Sequence, residues 1–149
     1  MKVSIPPEIL IADDDMEDII LIIEALKETR LKNNIQSVKN GEELLQYLLN
    51  KGTYSDKKKY PTPGIVLLDL NMPKKDGYEA LKEIKENKHL KNIPVIILST
   101  SNSLEDILRT YRIGANSFIT KPANYVGMVE AMNNVQKYWF QTVALPFEN

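Results

Sequence analysis

The chain has 149 residues, enough for one domain with a sizeable core and too few for two. Lys and Arg number 19 against 20 Asp and Glu, and the net charge of −1 gives no general pull toward nucleic acid or an anionic membrane. With no Cys and one His, disulfides, thiolate metal sites and thiol catalysis are excluded, and histidine metal sites have little scope.

Met1-Lys2 is followed by Pro6-Pro7 and Asp13-Asp14-Asp15, which is no export signal. No apolar run approaches the ~18 residues of a membrane span, so the expected location is cytoplasmic. Ile9 to Ala12 is a short apolar run ending in acid. Met16, Ile19, Ile20, Ile23 and Leu26 then follow helical spacing, with Asp15 placed as the helix cap rather than as a third metal ligand. Ile35 to Val38 alternates weakly and reads as a second strand. Asn40 caps the next helix, with Glu43 three residues on and Leu44, Leu45, Leu48 and Leu49 behind it. Gly52 to Gly64 reads as a loop, and Lys57-Lys58-Lys59 within it as a solvated face.

Ile65 to Leu68 is the third apolar run and ends at Asp69. Asp76 and Glu79 take the cap and third positions of a helix carrying Leu81 and Ile84. His89 sits in a polar turn and reads as a surface residue. Val95 to Leu98 is the fourth run. Ser103 caps a helix with Leu104, Ile107, Leu108 and Tyr111 at helical spacing. Ser117 to Thr120 is the last strand, and Met128, Met132, Val135 and Trp139 define a final helix, with Trp139 and the methionines as core. Five strands alternate with five helices. Runs apolar at every position suit parallel strands covered on both faces, so the expected fold is α/β: an open, doubly wound, flavodoxin-like sheet of order 2-1-3-4-5.

In such a sheet ligands bind beyond the carboxyl ends of the strands. Those ends carry Asp13-Asp14, Asp69, Ser99-Thr100 and Lys121-Pro122. Carboxylates held close together raise one another's pKa, and a hard divalent cation such as Mg²⁺ removes the conflict. An ionised carboxylate is also a nucleophile that needs no general base, and phosphoryl transfer requires mainly alignment and charge neutralisation. Lys121 offers positive charge for this, and the Ser99 hydroxyl offers a donor for one phosphoryl oxygen.

Ile-Leu-Ile-Ala-Asp13-Asp14, Leu-Leu-Asp69-Leu-Asn71-Met72-Pro73-Lys-Lys-Asp76-Gly77, Ile-Leu-Ser99-Thr100 and Thr-Lys121-Pro122 resemble the receiver domain of two-component response regulators, a CheY-like fold, over about residues 8 to 137. The resemblance implies that Asp69 accepts a phosphoryl group from a sensor histidine kinase or phosphotransfer protein. It implies that Asp13, Asp14, Asp69 and the Asn71 backbone carbonyl hold Mg²⁺ or Mn²⁺. It further implies that Lys121 contacts the acyl phosphate, that Ser99 and Phe118 are the switch pair, that Asn71 and Ser101 tune phosphate lifetime, and that Lys121–Pro122 is a cis peptide. The family often has Tyr where Phe118 stands, so a readout through that hydroxyl is absent here.

The whole of 1–149 is expected to be one such domain, with 138–149 an apolar extension. Tyr138-Trp139-Phe140 and Val143 to Phe147 exceed what one helix face buries, which suggests a partner surface. The tail and the long loop Lys51 to Pro63 are similar to single-domain regulators paired with phytochrome-type kinases, several of which dimerise. A homodimer through the last helix and tail is therefore one expectation, and a tail folded back on its own sheet or helices is the other. No fused output domain is expected after Asn149, so the expected readout is a downstream protein target, with no direct contact to nucleic acid or membrane.

The chain is expected to be a signalling protein that promotes its own phosphorylation and dephosphorylation rather than an enzyme. One rival is a phospho-independent scaffold, against which the intact acids, Ser99 and Lys121 argue. A second is an aspartyl-nucleophile phosphatase, but that class wants an acid two residues past the nucleophile, where Asn71 stands. A third, a nucleotide-binding module, lacks both glycine-rich phosphate motifs.

Overall fold

The computed structural model describes residues 6–146; the Phe147 of the apolar tail and the amino-terminal Met1–Ile5 lie outside them. Strands β1 (Glu8–Ala12), β2 (Ile35–Val38), β3 (Pro63–Leu68), β4 (Val95–Ser99) and β5 (Ser117–Thr120) alternate with helices α1 (Met16–Glu28), α2 (Gly41–Leu48), α3 (Gly77–Glu86), α4 (Leu104–Ile113) and α5 (Tyr125–Lys137). A 3₁₀ turn, Gly52–Tyr54, follows α2, and a π-helical turn, Tyr138–Thr142, follows α5. All pairings are parallel, in the order β2-β1-β3-β4-β5 that the residue pattern predicts. No described helix is long and apolar enough to cross a membrane.

β1, β3 and β4 are buried at every position because helices cover both faces of the sheet. Successive side chains point to opposite faces, so each strand feeds two cores. Leu10, Ala12, Val66, Leu68, Val95 and Ile97 pack with Leu44 and Leu48 of α2 and Leu81 and Ile84 of α3. Ile9, Ile11, Ile65, Leu67, Ile96 and Leu98 pack with Ile19, Ile22 and Leu26 of α1 and Met128, Met132 and Val135 of α5.

Side-chain caps start every helix. Asp15, Asn40, Asp76 and Ser103 accept from backbone N–H groups in the first turns, as expected, and Asn124 does the same for α5. Asn40 and Glu43 form the reciprocal capping pair that their spacing predicts.

Three features differ from the sequence reading. β3 begins at Pro63, inside the segment read as a loop; proline is tolerated at the first residue of a strand, and both Pro63 and Gly64 are buried. In α4 only Thr110 is buried, and the apolar Leu104, Leu108 and Tyr111 face outward. The final helical period ends at Lys137 rather than at Trp139, and the chain turns back. Trp139, Phe140 and Leu145 pack against the core beneath α1 and α5, while Tyr138 stays half exposed. Most of the described tail is therefore folded onto its own domain.

Candidate functional site

β1 and β3 are adjacent, so their carboxyl ends bring Asp13 and Asp69 together; Asp69 N–H donates to the Ala12 carbonyl at 2.9 Å. One ligand oxygen from each of Asp13, Asp14 and Asp69 lies within 4.8 Å of the others, with Asp13 and Asp69 buried and Asp14 exposed. The chain path is tight here. Gly77 N–H donates to the Leu70 carbonyl at 2.9 Å, returning the loop after β3 to its start.

Lys121, just past β5, reaches into this cluster with its side chain only 8% exposed. Its ammonium lies 2.9 Å from Asp13 Oδ2, 2.8 Å from Asp18 Oδ2 and 3.7 Å from Asp69 Oδ1. The Lys121 N–H donates to the Ser99 carbonyl at 2.6 Å, tying the ends of β4 and β5 together. The Lys121–Pro122 peptide expected to be cis is trans, as is every described peptide bond. Before proline the trans form is still favoured by about 0.5–1 kcal/mol.

Burial governs the charges. It pushes the Asp69 carboxyl up to about 6; Lys121 pulls it down, while Asp13 and Asp14 push it further up. Burial also raises Asp13, against the Asp15 N–H and the Lys121 ammonium, which favour its charged form. For Lys121 burial disfavours the cation, but hydrogen bonds to Asp18 and Asp13 outweigh that and hold its pKa above the usual lysine value. Two buried carboxylates and an exposed third, facing one ammonium, make an oxygen-only set with more negative than positive charge. That donor set fits a hard divalent cation.

The remaining expected residues take different places. Ser99 is fully buried, and its Oγ accepts from the Ser101 N–H at 3.2 Å, which leaves its hydroxyl hydrogen free to be donated. Ser101 turns away from the cluster: its hydroxyl donates to Asp106 Oδ2 of α4 at 2.6 Å. Asn71 is exposed beside the acids, and its backbone N–H favours the ionised Asp69. Phe118 is half buried against the α2–α3 core, and its N–H donates to the Tyr111 hydroxyl at 3.1 Å.

Two participants escape the sequence reading. Asp18 looks like any acid in the first turn of a helix; the one available signal was its place a turn beyond Asp15, at the edge that carries the other acids. Asp106 accepts from Ser101, Ser103 and Tyr78, so one carboxylate gathers the β4–α4 loop and the start of α3. Arg109, one turn later in α4, lies 3.8 Å from the centre of the Tyr78 ring.

The response regulator receiver domain profile matches residues 9–133. The chain belongs to this family. Response regulator Rcp1 of Synechocystis is 36% identical over 144 residues, covering 96% of each chain. Among solved receiver structures, the phosphorylated cyanobacterial phytochrome response regulator RcpA superposes with a TM-score of 0.88 at 38% identity, covering 95% of this chain and 99% of that one. The Mn²⁺-bound form of Rcp1 gives 0.85 at 35% identity, covering 95% and 100%. This receiver is thus a response-regulator signalling protein with a phosphoacceptor role, and its acidic cluster is consistent with divalent-metal binding.

Proposed function

We propose that Asp69 is the phosphoacceptor of this receiver, in a Mg²⁺-dependent reaction fed by a sensor histidine kinase or a phosphotransfer protein. The observation that carries this is the meeting of the buried Asp13 and Asp69, the exposed Asp14 and Lys121 at the carboxyl ends of β1, β3 and β5. An Asp69 oxygen attacks the phosphorus of a phosphohistidine; the P–O bond forms as the P–N bond breaks, and the imidazole leaves. Asp13, Asp14, Asp69 and the Asn71 carbonyl are the oxygens that would hold the cation, which supplies neutralising charge to the phosphoryl oxygens. A Mn²⁺-bound relative supports Mn²⁺ as a substitute.

Lys121 contributes a fixed positive charge 3.7 Å from Asp69. Ser99 supplies the hydroxyl donor, and Phe118 the aromatic whose packing registers the change. Asn71 and Ser101 set phosphate lifetime. Added charge at Asp69 then biases a two-state element toward a different protein partner. Cytoplasmic signalling without contact to DNA or membrane fits the near-zero net charge. A phytochrome-type kinase as the input is supported by the phytochrome regulator RcpA among the similar structures. A homodimer through α5 and the tail is supported by the exposed Tyr125, Val126 and Tyr138; light scattering of a chain ending at Lys137 tests it, and an unchanged mass removes it.

Acetyl phosphate labelling tests the main reading. Asp69→Asn should take up no phosphoryl group, and chelation of the metal should silence the wild type. Retained labelling of the variant moves the acceptor elsewhere.

A further inference from the structure

We propose that Asp18 is a positioning residue for phosphoryl transfer, one that aims the Lys121 ammonium at the phosphoryl group. This rests on Asp69 as the acceptor. An ammonium has three N–H donors. Two are taken by Asp13 at 2.9 Å and Asp18 at 2.8 Å. The nearest Asp69 oxygen lies 3.7 Å away, beyond hydrogen-bond range, so the third donor is not spent on the acceptor. A phosphoryl oxygen carried by Asp69 falls within that donor's reach.

The two tethers are not equivalent. Asp13 belongs to the carboxylate set suited to a divalent cation, and its other oxygen already accepts from the Asp15 N–H. A bound cation would compete with Lys121 for Asp13. Asp18 stands outside that set, in the first turn of α1, and its carboxylate accepts from Lys121. It crosses 103 residues of sequence to reach a side chain that is 8% exposed, whereas its own is 33% exposed. An isolated surface ion pair contributes little, but this one fixes a buried flexible side chain with several rotors.

The test compares wild type, Asp18→Asn and Asp18→Ala, using acetyl phosphate as donor at saturating Mg²⁺, with Mg²⁺ affinity measured by calorimetry. Labelling of Asp18→Asn should slow about tenfold, the scale of losing one charge-assisted hydrogen bond, while Mg²⁺ affinity stays within about twofold. Asp18→Ala keeps the comparison open if the first variant does not fold. A brace between α1 and the β5–α5 loop with no role in transfer would lower the melting temperature and leave the rate alone. An unchanged rate overturns the proposal, and so does a rate loss matched by an equal loss of Mg²⁺ affinity. If the wild type is not labelled, or Asp69→Asn is, the acceptor assignment fails instead.

Discussion

Gly77 sits against the backbone of Asp69 so closely that a Cβ on it would lie 2.4 Å from the Asp69 carbonyl oxygen and 2.6 Å from Leu70 Cα. Both obstacles are main chain and cannot swing aside. Gly77→Ala should therefore cost stability in the range of overpacked cores, about 1–3 kcal/mol. It should also displace the Asp69 backbone and slow labelling. Denaturant melts with acetyl phosphate kinetics check both effects; a variant with wild-type stability and rate would refute the tight-packing argument.

Asp69 offers a pH test. Its folded carboxyl is pushed up to about 6, chiefly by burial, whereas the unfolded one titrates near 3.8. Between those values the folded state binds the proton more strongly, so this group weakens the metal-free fold as pH rises and does so fully above about 6. Asp69→Asn should then be more stable than wild type at pH 7 in chelator, by roughly 1–3 kcal/mol, and the gap should close as pH falls toward 4. Paired urea melts across that range measure it.

Acid should also silence the site. Protonation of Asp69 below about 6 removes both the nucleophile and a metal oxygen. Mg²⁺ affinity is expected to fall as pH drops through about 6, and labelling by acetyl phosphate at sub-saturating Mg²⁺ with it. A Mg²⁺ affinity flat from pH 7 to 4.5 would contradict the raised acceptor.

Lys121→Ala removes the cation shared by Asp13, Asp18 and Asp69. Breaking a buried pair leaves an uncompensated charge and costs roughly 3–5 kcal/mol. Metal-free protein should melt much lower than wild type, and Mg²⁺ should raise the variant's melting temperature by more than it raises the wild type's. Thermal melts with and without Mg²⁺ read this directly.

At the opposite end of the sheet, the Tyr47 hydroxyl donates to Glu8 Oε2 at 2.7 Å, with both residues buried. Tyr47→Phe should cost about 1–3 kcal/mol by stranding the carboxylate, with labelling rate at Asp69 unchanged. Loss of rate at full stability would mean the two ends communicate.

The particular residues explain what could be read in advance. Ile9 to Ala12, Ile65 to Leu68 and Val95 to Leu98 are apolar throughout because each is covered twice, and that pattern is local. β2 and β5 are edge strands and only partly buried, so their signals are faint. Asp13, Asp14, Asp69 and Lys121 are legible because each closes or follows an apolar run at one edge of the sheet. Asp18 was not, since its partner is supplied by folding alone. The inward turn of Phe140 was equally hidden: it packs near Gly64, where the absent side chain makes room, with its Cε1 only 3.3 Å from where a Cβ would stand.

The hydrogen bond from Phe118 to the Tyr111 phenol has a consequence at the rim of the molecule. β5 is the outermost strand, and an outermost strand offers unpaired amides to any extended chain that passes. Here one of those amides is already claimed by a ring from α4. A stranger peptide trying to lengthen the sheet on that flank must first evict the phenol, which protects the receiver against runaway strand-by-strand assembly.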